Sequence, residues 1–236
     1  MGLISIVIPC FNECAIIERY AQALIAPLEA LGVPFEIVAV DDGSTDGTRD
    51  ALERLKPRAP LEVAAHARNL GLGAALRTGF SRARGEWVVA LDADLTFSPS
   101  AIGALVRRQQ ESGADLVSGS PFLRGGGFEG VSSSRRLPSL IINSFYRALF
   151  RRDFTSYTPI FRLYRAARLK SLALTADGFE ISVEIAVRFM QAGWTVAETP
   201  VVLTERVLGC SKMSALRELS RHAKLAARLF FSRRGA

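Results

Sequence analysis

Two carboxylates separated by one residue, Asp92 and Asp94, lie in the stretch W-V-V-A-L-D-A-D-L-T-F-S-P at residues 87–99. Ahead of them Trp87, Val88, Val89, Ala90 and Leu91 form an unbroken apolar run, the pattern of a strand buried on both faces of a parallel sheet. In open α/β sheets ligands bind outside the carboxyl ends of the strands, and oxygen donors suit a hard divalent cation. The pair is therefore a candidate for holding such a cation against a diphosphate. A D-x-D match is a weak signal alone, and a solvated turn is the competing reading. Ser98 is placed to cap the next helix, with Pro99 in its first turn.

Two further polar loops follow apolar runs, at residues 9–13 and 41–48, the second reading D-D-G-S-T-D-G-T with Asp46 placed to cap a helix. Together with residues 92–96 they would meet at one rim of a sheet, an arrangement that suits a nucleotide with its phosphates on a metal. A capped turn is the plain alternative for the second loop. The glycines at 71 and 73 lack dinucleotide-fingerprint spacing, and no Walker A sequence occurs.

The elements that must position these loops follow from periodicity. Strands are expected at 3–9, 35–40, 61–65, 86–91 and 114–119. Helices are expected at 13–31, from the 68–73 loop to about 84, and at 99–111. Strand-helix alternation of this regularity indicates a doubly wound parallel sheet. Beyond residue 120 a glycine-rich loop (124–130) precedes an amphipathic helix at 137–150, a helix at 182–191 and a strand at 195–203 with Pro200 at an edge or bulge. A final helix at 214–231 carries Leu216, Leu219, Ala223, Ala226 and Phe230 on one face and Arg217, Arg221, Lys224 and Arg228 on another. No repeat or linker interrupts the chain, so one domain spanning 1–236 is expected, with acceptor-side or interfacial elements at about 121–165 and 205–236.

Composition narrows the classes. The 236 residues are 49% hydrophobic, enough for a core, and carry a net charge of +7 with a pI near 9.8. This balance suggests an anionic partner: nucleotide, nucleic acid or anionic lipid surface. Cys10, Cys14 and Cys210 form no C-x-x-C pair, so neither a disulfide framework nor a zinc site is indicated, and they read as packing or loop residues. With only His66 and His222, a histidine-based triad or metal-hydrolase cluster is not expected. No signal peptide, membrane-spanning run or myristoylation site is expected, and a reduced, cytoplasmic compartment fits.

The strings I-P-C-F-N-E at 8–13, D-D-G-S-T-D-G-T at 41–48, G-L-G-x-A at 71–75 and L-D-A-D at 91–94 resemble family 2 glycosyltransferases of GT-A fold. The second half, with G-S-P-F-L-R-G-G-G at 119–127, R-R-L-P-S at 135–139, F-R-L-Y-R at 161–165, G-F-E-I-S-V-E-I at 178–185 and E-R-V-L-G-C-S-K at 205–212, is similar to dolichol- or polyprenyl-phosphate-mannose synthases. The fold implied is a mostly parallel α/β nucleotide-sugar-binding domain with a C-terminal amphipathic helix.

The resemblance implies that Pro9, Phe11, Glu13 and Asp41, with Asp92 and Ala93, bind the donor sugar nucleotide. Asp92 and Asp94 would hold Mg²⁺ or Mn²⁺ on its diphosphate. Arg135 and Ser139 would hold the lipid phosphate, and Arg206 and Lys212 would bring charge to the phosphates from a closing loop, joining Asp94 in the catalytic set. Thr96 stands where such synthases have a metal-associated Gln. Pro121 replaces an acceptor-phosphate Arg, for which Arg124 is the nearby substitute. The Q-x-E signature reads Ser182-Val183-Glu184.

The activity implied is inverting transfer of a sugar, mannose from GDP-mannose first, to polyprenyl phosphate at the cytoplasmic membrane face by a peripherally bound protein. An acceptor phosphate arrives ionised and needs no strong base, whereas a hydroxyl acceptor would call on Glu184 or Glu180. The alternatives are UDP-glucose or another donor, a soluble or hydroxyl acceptor, and a weakened sugar-nucleotide-binding subunit. Nucleic-acid binding lacks a motif and is not expected as a partner.

Overall fold

The computed structural model describes residues 1–150, 153–205 and 215–232. The first half runs β1 (Ile4–Cys10), α1 (Cys14–Ile17), α2 (Ala26–Glu29), β2 (Phe35–Asp41), α3 (Thr48–Leu55), β3 (Leu61–Ala65), α4 (Leu72–Arg82), β4 (Trp87–Ala90), α5 (Ile102–Ser112) and β5 (Leu116–Ser120). The second half adds β6 (Gly127–Glu129), α6 (Ser133–Phe150), β7 (Arg162–Arg165), α7 (Ala166–Lys170), α8 (Ile181–Gln191), β8 (Val196–Pro200), β9 (Val202–Thr204) and α9 (Ala215–Ser232).

Seven strands form one sheet in the order β3-β2-β1-β4-β7-β5-β8, and β6 pairs with β9 in a separate ribbon. All neighbours in the large sheet are parallel except β7, which runs antiparallel between β4 and β5. The sheet is thus mostly parallel, as expected, with β7 its antiparallel member. Alternate residues of β1 enter opposite layers, as a period of two requires. Val7 packs with Val40, Leu76, Phe80, Val183 and Phe189, and Ile6 and Ile8 pack with Ile17, Leu24, Leu52 and Leu105.

The helix expected over 13–31 is broken. After α1 the chain makes a π-helical turn over Ala21–Ile25 before α2 begins. Pro27 cannot donate to the carbonyl four residues back, and its ring crowds that carbonyl. The helix expected from 137 starts at Ser133, and the strand expected over 195–203 divides at Val201 into β8 and β9. Ser98 precedes a 3₁₀ turn over Pro99–Ala101 without capping it. Its hydroxyl instead meets that of Ser100 at 2.7 Å.

The buried face of α9 is not the one expected. His222, Leu225, Ala226 and Leu229 are buried while Ala223 is exposed, and Leu229 accepts a 2.8 Å bond from Gln191 at the end of α8. Arg228 lies 3.6 Å from Glu184 and Arg221 2.8 Å from Glu218, so part of the basic face serves packing within the fold. No described helix is long and apolar enough to cross a membrane.

Candidate donor site at the carboxyl ends of β1, β2 and β4

The loops after β1 and β2 are bonded into one unit. Asn12, at φ 54°, donates its backbone N–H to the Ser44 hydroxyl at 2.9 Å, and its side-chain oxygen accepts the Thr45 N–H at 2.8 Å. The Glu13 N–H donates to the Thr48 hydroxyl at 2.8 Å, and the Cys14 N–H to Asp46 at 3.1 Å. Asp46 also accepts from the Thr48 N–H at 3.0 Å and hydroxyl at 2.5 Å. Burial raises the Asp46 pKa, but these bonds outweigh it and hold the carboxyl below its usual range.

Asp41 and Asp42 are both buried but differ in task. Asp41 accepts the Ser44 N–H at 3.1 Å. Asp42 accepts from the Leu70 and Gly71 N–H groups at 2.9 and 2.8 Å and lies 2.6 Å from His66 Nδ1, whose Nε2 is 2.9 Å from the Thr78 hydroxyl. It thereby ties the β2 loop to the start of α4. A Cβ at Gly73 would come within 2.0 Å of the Ala176 carbonyl oxygen, which explains a glycine in G-L-G-x-A: the chain ahead of α8 lies directly on this turn.

At the end of β4 the turn is tight. The Leu95 N–H, at φ 54°, donates to the Asp92 carbonyl at 3.1 Å, and the Thr96 N–H donates to the Asp94 carboxylate at 3.1 Å. Between the two half-buried carboxylates Ala93 is buried, and its carbonyl accepts the Tyr20 hydroxyl at 2.7 Å. The Tyr20 pKa is pushed far above its ordinary value, first by burial and then by the acidic groups of Cys10, Asp94, Glu13 and Asp92. The same electrostatics place Glu13 and Asp41 near Cys10 at the end of β1. Six of the sequence-derived residues, Pro9, Phe11, Glu13, Asp41, Asp92 and Asp94, thus belong to three adjacent strand ends.

No group of three His, Cys, Asp or Glu side chains among the described residues could enclose a metal. Two oxygen donors on one turn nevertheless fit Mg²⁺ or Mn²⁺ completed by substrate phosphates and water, since such ions use one or two carboxylates plus phosphate oxygens. Where a Gln was expected to help, the Thr96 carbonyl accepts both the N–H and the hydroxyl of Thr204, at 2.9 and 3.1 Å. The turn is thereby fastened to β9, just ahead of the segment holding Arg206.

Of the residues expected to hold the acceptor, Arg124 is exposed in the loop between β5 and β6, Ser139 is half-buried on α6, and Arg135 falls in the first turn of α6, its side chain outside the described part. Arg136 lies 5.5 Å over the Phe128 ring of β6, bringing the start of α6 beside the β6–β9 ribbon. Arg206 and Lys212 lie outside the described residues.

Glu184 is a correction. Its carboxylate is fully buried and accepts from the N–H groups of Thr175 and Ala176 at 2.9 and 2.8 Å, the Thr175 hydroxyl at 3.1 Å, and Arg188 at 3.0 Å. It is not presented to an acceptor. It fixes the segment on which the Gly71–Gly73 turn rests.

Sequence reasoning placed Tyr20 only within the helix expected at 13–31 and gave Asp42 no role of its own. A tyrosine among apolar neighbours carries no sign of its hydrogen bond until Ala93 is placed beside it. The doubled aspartate of D-D-G-S was the available signal for Asp42.

A family model, Glycosyl transferase family 2, matches residues 5–172. The chain belongs to glycosyltransferase family 2. An undecaprenyl-phosphate 4-deoxy-4-formamido-L-arabinose transferase of Pseudomonas paraeruginosa is 33% identical over 93% of the chain and 63% of its own length. A polyprenol monophosphomannose synthase of Mycolicibacterium smegmatis is 30% identical over 89% of the chain and 80% of its own length. A dolichol-phosphate mannosyltransferase of Pyrococcus furiosus is 30% identical over 89% of the chain, which spans 59% of that relative.

Among solved structures, glucosyl-3-phosphoglycerate synthase of Mycobacterium tuberculosis with Mn²⁺, UDP and glucosyl-3-phosphoglycerate superposes with a TM-score of 0.70 at 22% identity, covering 98% of this chain and 80% of that one. A Pyrobaculum calidifontis mannosyltransferase with GDP-mannose and Mn²⁺ gives a TM-score of 0.65 at 21% identity, over 98% and 64% of the two chains. The fold is GT-A.

Proposed function

We propose that this family 2 glycosyltransferase moves a hexose, mannose from GDP-mannose in the first instance, onto polyprenyl phosphate while bound peripherally at the cytoplasmic membrane face. In this reading the chain acts as one GT-A domain, with acceptor elements at about 121–165 and 205–236. The observation that carries the proposal is the turn at Asp92–Asp94: two half-buried carboxylates on either side of a buried Ala93, beside the β1 and β2 loops and bonded to β9. The polyprenyl-phosphate relatives support the acceptor class.

Pro9, Phe11, Glu13 and Asp41 receive the nucleoside, and Asp92 and Asp94 hold the cation with the diphosphate. The cation, when bound, neutralises charge developing on the leaving diphosphate. Arg124, Arg135 and Ser139 orient the acceptor phosphate, an Arg fork matching phosphate oxygens as Lys does not. Arg206 and Lys212 add positive charge where the leaving group forms. The acceptor oxygen is already anionic, so a single inverting displacement needs no side-chain base, in keeping with the internal role of Glu184. A stripe of exposed apolar residues on α6, Leu137, Leu140, Ile141 and Phe145, supports a lipid-facing surface.

The test is turnover with GDP-mannose and UDP-glucose, each with polyprenyl phosphate and with free polyprenol. Transfer only to the phosphate is expected, and Arg135→Ala should raise the KM for the lipid far more than the KM for the donor. Equal transfer to free polyprenol or to a soluble sugar would overturn the acceptor assignment.

A further inference from the structure

The residue between Asp92 and Asp94 is held from within the fold. Tyr20 is the last residue before the π-helical turn Ala21–Ile25. Ile17, Leu24 and Leu28 beside it are completely buried and fix its ring in the layer under the site. From there the hydroxyl reaches a residue far along the chain, donating to the Ala93 carbonyl at 2.7 Å. That carbonyl belongs to the one residue between Asp92 and Asp94. Ala93 is buried while Asp92 and Asp94 on either side of it are half-buried, so both carboxylates reach the surface from one turn. π turns displace side chains from the regular helical register and recur at functional sites. Here the turn follows directly from the position of Pro27.

We propose that Tyr20 is a positioning residue for cation binding: its hydroxyl, by holding the Ala93 carbonyl, sets the spacing and aim of the Asp92 and Asp94 carboxylates. This rests on the reading of those two residues as the cation's ligands. Removing the hydroxyl leaves a buried carbonyl without its donor, and the turn can then satisfy that carbonyl only by rotating, which carries both carboxylates with it. Partners behind a metal ligand typically contribute 10–100-fold in affinity, about the range expected here.

The experiment is titration of Mn²⁺, followed by its electron paramagnetic resonance signal, in the presence of GDP and in a second series UDP. Wild type, Tyr20→Phe, Asp94→Asn and Leu24→Ala are compared, with thermal midpoints measured without metal. Tyr20→Phe should bind Mn²⁺ about 10-fold or more weakly, and the Mn²⁺ concentration giving half-maximal turnover should rise by the same factor while the acceptor KM stays fixed. Leu24→Ala, which loosens the same layer but leaves the Tyr20 hydroxyl in place, should keep wild-type Mn²⁺ affinity despite a lower midpoint. Wild-type affinity in Tyr20→Phe overturns the proposal, as does an equal loss in Leu24→Ala, which would make the effect one of general packing. If wild type binds no Mn²⁺, or Asp94→Asn binds it as well as wild type, the ligand assignment itself is wrong and the positioning role falls with it.

Discussion

The Glu184 carboxylate accepts from two backbone N–H groups, a hydroxyl and the Arg188 guanidinium, with Arg228 close by. Burial pushes its pKa up, but the Ala176 and Thr175 N–H groups and Arg188 outweigh burial and hold it below the usual carboxylate value. A carboxyl with a depressed folded pKa contributes stability above its unfolded pKa and loses that contribution as pH falls through the folded one. Wild type should therefore lose stability progressively below about pH 4.3, and Glu184→Gln should be less stable at pH 7 by about 2 kcal/mol with a flatter acid limb. Denaturant midpoints from pH 7 to pH 3 check this; identical acid limbs would remove Glu184 as the cause. Residues of this kind were hard to read from sequence. In G-F-E-I-S-V-E-I the glutamate sits where a catalytic base would sit, and only the position of Thr175 and Ala176 shows its acceptor capacity to be used internally. Asp92 and Asp94 were legible because their signal is local: an apolar run ending in paired acids.

At the scale of elements, α6 divides its surface sharply. Asn143, Tyr146 and Phe150 face inward, where Asn143 accepts the Tyr157 N–H at 2.7 Å and Tyr146 donates to the His222 carbonyl at 3.1 Å. On the outer side Ile141 is 60% exposed and Phe145 48%, with Arg147 also exposed. An apolar stripe beside basic residues suits an anionic bilayer surface. Ile141→Glu should weaken co-sedimentation with phosphatidylserine-containing vesicles by about 10- to 150-fold, the lost transfer free energy of one aliphatic side chain being about 1.5–3 kcal/mol. Its thermal midpoint should remain near wild type because the site is exposed. Unchanged vesicle binding would point to another face. The amphipathic pattern of α6 was visible in sequence, whereas that of α9 was misassigned. His222 and Glu218 lie on its buried side, and polar residues in a buried stripe shift the apparent phase of the periodicity.

For the whole molecule, the alternation of strands and helices through residue 120 was legible because the apolar runs end in polar loops. β7 was not read as a strand. Its sequence R-L-Y-R begins with Arg162, fully buried yet satisfied by the Ser118 hydroxyl at 3.1 Å and the Ser156 and Tyr157 carbonyls at 2.8 Å. No local pattern announces a buried guanidinium held by a hydroxyl and backbone carbonyls. The place of β7 has a kinetic consequence. It joins β4 to β5, pairing Leu163 with both Val89 and Val117, so β4 lacks its second neighbour and β5 its first until residues 162–165 arrive. Non-local pairing of this kind bears its loop-closure entropy before any contact compensates it. In pulse-labelled hydrogen exchange during refolding, β1 and β2 amides should gain protection first, with β5 and β7 following together. Protection of β5 at the rate of β2 would refute that order. During synthesis, β4 and β5 would wait as open edges, each a template for a strand from another chain, until the polypeptide beyond residue 165 has left the ribosome.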